Sequence, residues 1–145
     1  MTQTDSGHPT AEAEDAATRA KRLLQGGRLK EALEVTRAEL IENPANAEAL
    51  YIQAVTLRYL DQPAQALETL EQLKERQPAY SRAYQEEGHN LKLLGDFKRA
   101  TEAYQRAVDL NHALLASWRE LAVLHKRQHN QPASELAQAD TSELQ

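Results

Sequence analysis

The 145-residue chain has no cysteine, and only one tryptophan, one phenylalanine and one methionine. Without thiols it can form neither disulfides nor thiolate metal sites, and a reducing compartment is the simpler expectation. Aromatics make up 5 % of the residues, too few to suggest a deep aromatic pocket. Glycine and proline number five each, and most of them fall at breaks between helical patterns. No apolar run approaches the roughly 20 residues that span a bilayer. The opening Met1-Thr2-Gln3-Thr4-Asp5-Ser6-Gly7-His8-Pro9 is neither basic nor apolar, so it does not read as a signal peptide. Positive charge is also short. The net charge of −5 argues against general affinity for nucleic acid or anionic membranes. A soluble, cytoplasmic chain is the expectation.

What is abundant is alanine and leucine, in a pattern that returns every 34 residues. Leu23, Leu57 and Leu91 fall in step, as do Ala32, Ala66 and Ala100. So do Leu50, Tyr84 and Trp118, the small residues Ala20, Ala54, Gly88 and Ala122, and the breaks at Gly27, Asp61, Gly95 and His129. A fixed period of this length marks stacked repeats rather than a single central core. The small-residue row predicts a close helix approach with room for a methyl, so alanine at position 88 should cost little.

Along the chain, residues 1–10 are polar and without period, and are expected to be a disordered tail. Helical spacing starts at Ala11, with Ala13, Ala16, Ala17, Ala20, Leu23 and Leu24 on one stripe; Gly26-Gly27 ends it. A second helix over Leu29–Asn43 should bury Leu29, Ala32, Leu33, Leu40 and Ile41 before Pro44 stops it. Asn46 is the expected cap of a third helix, Ala47–Leu60. Asp61 is the expected cap of a fourth, Pro63–Gln77, with proline in its first turn. Tyr80 or Ser81 opens a fifth helix that closes at Gly95. Asp96 caps a sixth, Phe97–Leu110, and a seventh over Leu114–Gln128 carries Trp118, Leu121, Ala122 and Leu124 inward. From Pro132 a short eighth helix can be drawn, but Ser134, Gln138 and Thr141 stand where the repeat wants Ala, a large residue and Ala. Residues 140–145 read as a polar tail. The units are then about 13–46, 47–80, 81–114 and a partial 115–139.

These landmarks resemble the tetratricopeptide repeat. Tyr84, Gly88, Leu91, Gly95, Ala100, Tyr104 and Ala107 fit its pattern, and Leu50, Ala54, Leu57, Ala66, Leu70, Leu73 and Pro78 fit almost as well. The first copy departs at Ala16, Arg19 and Thr36. The resemblance spans roughly residues 13–129 and implies an all-α, right-handed α-solenoid of antiparallel helix pairs. It implies a protein-interaction scaffold rather than an enzyme, holding a peptide or partner surface in a concave groove. Tyr84-Gln85-Glu86-Glu87-Gly88-His89 and Leu114–Arg119 further resemble modules that precede sulfotransferase domains in some bacterial proteins. That gives the alternative of a substrate-recruiting module for an enzyme whose catalytic domain lies elsewhere. The chain holds no glycine-rich phosphate loop.

Other chemistry is thin. His125 and His129 are four apart on one helix, but two ligands make neither a structural nor a catalytic zinc site, and no cofactor motif is present. Glu86 and Glu87 are adjacent, so they diverge on a helix and are not a catalytic pair. Lys30, Glu34, Glu68, Glu71, Arg99 and Glu102 read as a solvated outer face.

In the resembled family the first helix of each pair lines the groove. Carried over, that places Glu48, Tyr51, Val55, Arg58 and Tyr59, then Arg82, Gln85, His89, Lys92 and Leu93, then Ala116, Arg119, Val123, Lys126 and Arg127 along it. These hold six of the 17 bases but one of the 22 acids, which suggests an acidic partner segment. The family's grip on a C-terminal carboxylate is not matched, since Ala17, Lys21, Ile52 and Glu86 stand at positions that grip would need otherwise.

Overall fold

The computed structural model describes residues 14–130. Among them are seven helices and no strand: α1 (Ala16–Gln25), α2 (Leu29–Glu42), α3 (Ala47–Tyr59), α4 (Pro63–Arg76), α5 (Ser81–Leu93), α6 (Phe97–Leu110) and α7 (Leu115–His129). The second helices start and stop at intervals of 34 residues without drift, as the sequence period requires. The expected tails, residues 1–10 and 140–145, lie outside the described residues, as does the short eighth helix.

The tight turn inside each pair is one motif used three times. Arg28, Gln62 and Asp96 donate their backbone N–H to the carbonyls of Leu23, Leu57 and Leu91, each at 2.9 Å. The residue before each donor takes the left-handed conformation: Gly27 at φ 78°, Asp61 at 61°, Gly95 at 82°. This is a helix C-terminal motif that satisfies carbonyls left free by the last turn. Asp61 therefore occupies the glycine position of the turn and is not the cap of α4; that role falls to Gln62, without a side-chain bond. Asn46 and Asp96 do cap, accepting the N–H of Ala49 and Arg99. Between pairs the chain leaves the helix at Asn43, Gln77 and Asn111, ahead of Pro44, Pro78 and His112.

Among the described residues α1 starts at Ala16, where Asp15 accepts the Thr18 N–H and fixes the first turn. Ala13 lies outside the described residues. In α2, Ile41 is 78 % exposed and Leu29 and Leu40 are only partly covered. Thr36 is buried instead, donating its hydroxyl to Leu33 O. It sits one period before Leu70 and two before Tyr104, so register outranks hydrophobicity here.

The central core joins Leu33, Leu50, Ala54, Leu57, Ala66, Leu70, Leu73 and Ala83. A second cluster holds Leu91, Ala100, Ala103, Tyr104, Val108, Leu121 and Leu124. Gly88 differs from the expectation of methyl-sized space. A Cβ built there would lie 2.7 Å from Tyr104 Cε1 and 2.8 Å from Cδ1 and Cζ. The second pair fits Leu70 against Ala54; the third fits a larger ring by removing the methyl. On α7, Leu121 and Leu124 are buried, but Trp118 and Ala122 are exposed, contrary to expectation. They face the place of a second helix, and none follows among the described residues.

Within each pair the two helices pack most closely. Successive first helices α1, α3 and α5 also touch one another, whereas the second helices meet one another less. A stack that is tighter along its first helices bends toward them, so α1, α3, α5 and α7 form the inner row. Lys30, Glu34, Glu68, Glu71, Arg99 and Glu102 are exposed on the second helices.

Candidate partner-binding surface

The inner row is stitched by polar pairs that recur with the sequence period. Between α3 and α5, the Arg58 guanidinium grips the Glu86 carboxylate with two nitrogens. Between α5 and α7, Lys92 Nζ lies 2.6 Å from Glu120 Oε1. Arg58 and Lys92 are one period apart, and so are Glu86 and Glu120. Between α1 and α3 the same two positions hold Leu24 and Ile52, which pack together with Ala17 and Ala20. Gln85 adds a further link from α5 to α7, accepting the Ser117 hydroxyl at 2.7 Å.

These pairs correct the expected charge count. Glu86 and Glu120 belong to the inner row, so two of its cations are already neutralised. Glu86 and Glu87 do diverge, yet both are buried, at 2 % and 9 % exposure. Glu87 turns outward to Lys74, 2.7 Å away, which also bonds Glu71. Burial pushes the Glu86 carboxyl up from its ordinary range, and Arg58 and Asn90 pull it back. The sequence carried a signal for this arrangement: two acids one period apart, each 28 residues after a base.

The candidate residues divide by accessibility. Val55 is buried. Tyr51 is half-buried, its ring 5.9 Å from that of Tyr80. Burial, with Glu86 nearby, pushes its hydroxyl pKa up to about 12. His89 is bound by Tyr104, with 2.5 Å between Nδ1 and the hydroxyl. Burial, then the neighbouring Arg58, lowers its pKa to about 4 despite Glu120. It is a neutral packing residue at pH 7. Arg58 also stacks over the Tyr59 ring at 4.7 Å, and Arg127 over Phe97 at 4.0 Å.

Tyr59, Arg82, Arg119, Val123 and Lys126 remain exposed. Arg82 lines a shallow hollow with Gln77, Pro78, Ala79, Tyr80 and Ser81. Arg82, Arg119 and Lys126 have no ion pair among the described residues. Among those residues, no three His, Asp or Glu side chains converge as metal ligands would, and no helix is long and apolar enough to cross a membrane.

Residues 81–113, the α5–α6 unit, match the tetratricopeptide repeat family. The whole array is similar in fold to several solved structures. The TPR domain of Sgt2 from Aspergillus fumigatus is 22 % identical, with a TM-score of 0.76 over 84 % of this chain and 86 % of that one. The first TPR of Spaghetti (RPAP3), solved with the HSP90 peptide SRMEEVD, is 17 % identical, with a TM-score of 0.75 over 79 % and 91 %. The second TPR domain of human RPAP3, solved with the HSP70 peptide SGPTIEEVD, is 19 % identical, with a TM-score of 0.71 over 81 % and 98 %. At such identities the likeness is one of fold. No curated protein sequence matches the chain significantly.

Proposed function

We propose that this tetratricopeptide-repeat array is a protein-interaction scaffold that holds an acidic peptide or partner segment along its inner helices. The observation that carries the reading is the sorting of cations on that row. Arg58 and Lys92 are consumed by structural carboxylates, while Arg82, Arg119 and Lys126 stand exposed and unpaired among the described residues. Their guanidinium and ammonium groups can steer and hydrogen-bond carboxylates, and Tyr59 and Val123 offer apolar contact beside them. A preformed helical surface also avoids much of the ordering cost on the receptor side. Two of the similar structures hold peptides with adjacent glutamates before a terminal Val-Asp. In this chain, however, Ile52 is buried in a junction and Glu86 is buried against Arg58. The proposed mode is therefore side-chain recognition along the segment, without a grip on its terminus.

The test is titration of wild type and the Arg119→Glu/Lys126→Glu variant with SRMEEVD, as free acid and as C-terminal amide. Binding should fall several-fold in the variant at low salt, converge in high salt where charges are screened, and be indifferent to amidation. Equal binding by both proteins at low salt would overturn the acidic-segment reading.

A further inference from the structure

Of the large apolar side chains that stand exposed among the described residues, Tyr59 and Leu93 are the two that lie one period apart, at 59 % and 55 % exposure. They are the last residues of α3 and α5. One period on, the same position of α7 is Arg127, also exposed; one period back it is Gln25, the last residue of α1. Three neighbouring first helices thus present an aromatic ring, an aliphatic branch and a guanidinium in a row. Arg58 lies over the Tyr59 ring at 4.7 Å and Arg127 over the Phe97 ring at 4.0 Å, so both ends of the row are held in place.

The row has a polarity. Arg58, Lys92 and Lys126 lie beside it, each one residue earlier. The first two are neutralised by Glu86 and Glu120, whereas Lys126 and Arg127 have no ion pair among the described residues. A ligand along the row therefore meets apolar surface at α3 and α5 and net positive charge at α7. Spacing narrows the ligand further. Packed helices lie about 8–10 Å apart, so the three side chains repeat at that interval. A polyproline II segment has three residues per turn and a rise of about 3.1 Å, so every third side chain points the same way, about 9 Å from the last. Its backbone makes no internal hydrogen bonds, and so slim a ligand can follow the row without displacing either ion pair.

We propose that the row Tyr59–Leu93–Arg127 sets the specificity of the inner surface, by reading an extended, polyproline-II-like partner segment that carries two apolar residues and an acid at intervals of three. The inference rests on the reading of the inner helices as the binding surface, and assigns the form and register of the segment. The apolar residues shed water against Tyr59 and Leu93. The acid accepts two hydrogen bonds from the Arg127 guanidinium, which Phe97 already holds in place.

Fluorescence anisotropy with labelled, proline-rich synthetic peptides tests this. The first peptide carries two leucines three residues apart and a glutamate three further on. Composition-matched controls place the same residues at intervals of two or of seven, and each peptide is made in both sequence directions. In one direction the three-spaced peptide should bind wild type about tenfold tighter than the controls, the order of one buried leucine side chain. Tyr59→Gln/Leu93→Gln, which copies Gln25 of α1, should remove that preference while far-UV circular dichroism and Tm hold. Arg127→Gln should weaken the glutamate peptide and leave its glutamine counterpart unchanged. Equal binding at all intervals, or a three-spaced preference that survives Tyr59→Gln/Leu93→Gln, would overturn the proposal. A preference for the seven-residue interval would overturn it too, since that is the repeat of a helical ligand. If Arg119→Glu/Lys126→Glu weakens every acidic peptide alike while spacing has no effect, the acidic-segment reading stands and this inference alone falls.

Discussion

Gly88→Ala is the perturbation on which sequence and structure disagree most sharply. In an exposed helix, alanine in place of glycine stabilises by about 1 kcal/mol. Here the new methyl would sit 2.7–2.8 Å from three carbons of the Tyr104 ring. Favourable carbon contacts begin near 3.5 Å, so the ring must retreat by about 0.7 Å. It has little room, since Tyr104 is fully buried and its hydroxyl is tied to His89. Overpacking of this kind typically costs 1–3 kcal/mol, and loosening the hydroxyl bond adds about 1 kcal/mol. Set against the propensity gain, the expected result is net destabilisation of about 1–3 kcal/mol, a fall in Tm of roughly 4–12 °C for a domain of this size. The decisive measurement is a double-mutant cycle with Tyr104→Leu, by urea denaturation. With leucine at 104 the third pair copies the Ala54–Leu70 fit of the second, so Gly88→Ala should then stabilise. If Gly88→Ala changes stability by the same amount in both backgrounds, the glycine–tyrosine fit has no energetic content and the reasoning fails.

Other consequences are open to the same kinds of measurement. Asp61 holds a left-handed conformation that costs a non-glycine residue about 1 kcal/mol, so Asp61→Gly should raise Tm by a few degrees; a lower Tm would contradict the turn assignment. Arg58→Leu alone strands the buried Glu86 carboxylate and should cost several kcal/mol, of the order of 3. The pair Arg58→Leu/Glu86→Ile copies Leu24/Ile52 and should recover most of that loss in denaturant melts. His89 has a folded pKa of about 4 against an ordinary 6.5, so the folded state resists its protonation. Its contribution is complete above pH 6.5 and fades as pH falls toward 4, by up to about 3 kcal/mol. Melts of wild type and His89→Asn across that window should diverge at the acid end; parallel curves would mean the histidine is not responsible.

Much of the architecture was legible because it depends on spacing alone. The 34-residue period placed all seven helices to within a few residues, and Asn46 and Asp96 were recognisable as caps from local chemistry. The errors share one cause: a residue's type was read where its register decides. Ile41 is apolar but lies off the inner stripe, so it is exposed. Thr36 is polar but lies on it, so it is buried. Asp61 resembles a cap, yet the turn needs a left-handed residue there. The groove charge count failed for a related reason. Positions 86 and 120 border the inner face without belonging to the positions the resemblance nominates, and only packing shows that their acids reach Arg58 and Lys92. Position 88 required knowing the size of its partner sixteen residues away, a correlation invisible until the two helices are paired.

The three junctions of the inner row are chemically unequal, and this bears on how a chain of similar units keeps its order. Stacked repeats share the same apolar spacing, so hydrophobic contact alone would tolerate pairing α3 with the wrong neighbour. The α1–α3 junction is apolar through Leu24 and Ile52. The α3–α5 junction is a buried Arg58–Glu86 pair, and the α5–α7 junction a half-exposed Lys92–Glu120 pair. Pairing α1 directly with α5 would set Leu24 against Glu86, leaving a desolvated carboxylate without its partner at a cost of several kcal/mol. The ionic junctions thus contribute less to net stability than to rejecting wrong arrangements, a hypothesis the Arg58→Leu/Glu86→Ile variant addresses directly. It should melt near wild type but show slower or multiphasic refolding, because misregistered pairings are no longer penalised. Single-phase refolding at the wild-type rate would show that apolar packing by itself encodes the order of the units.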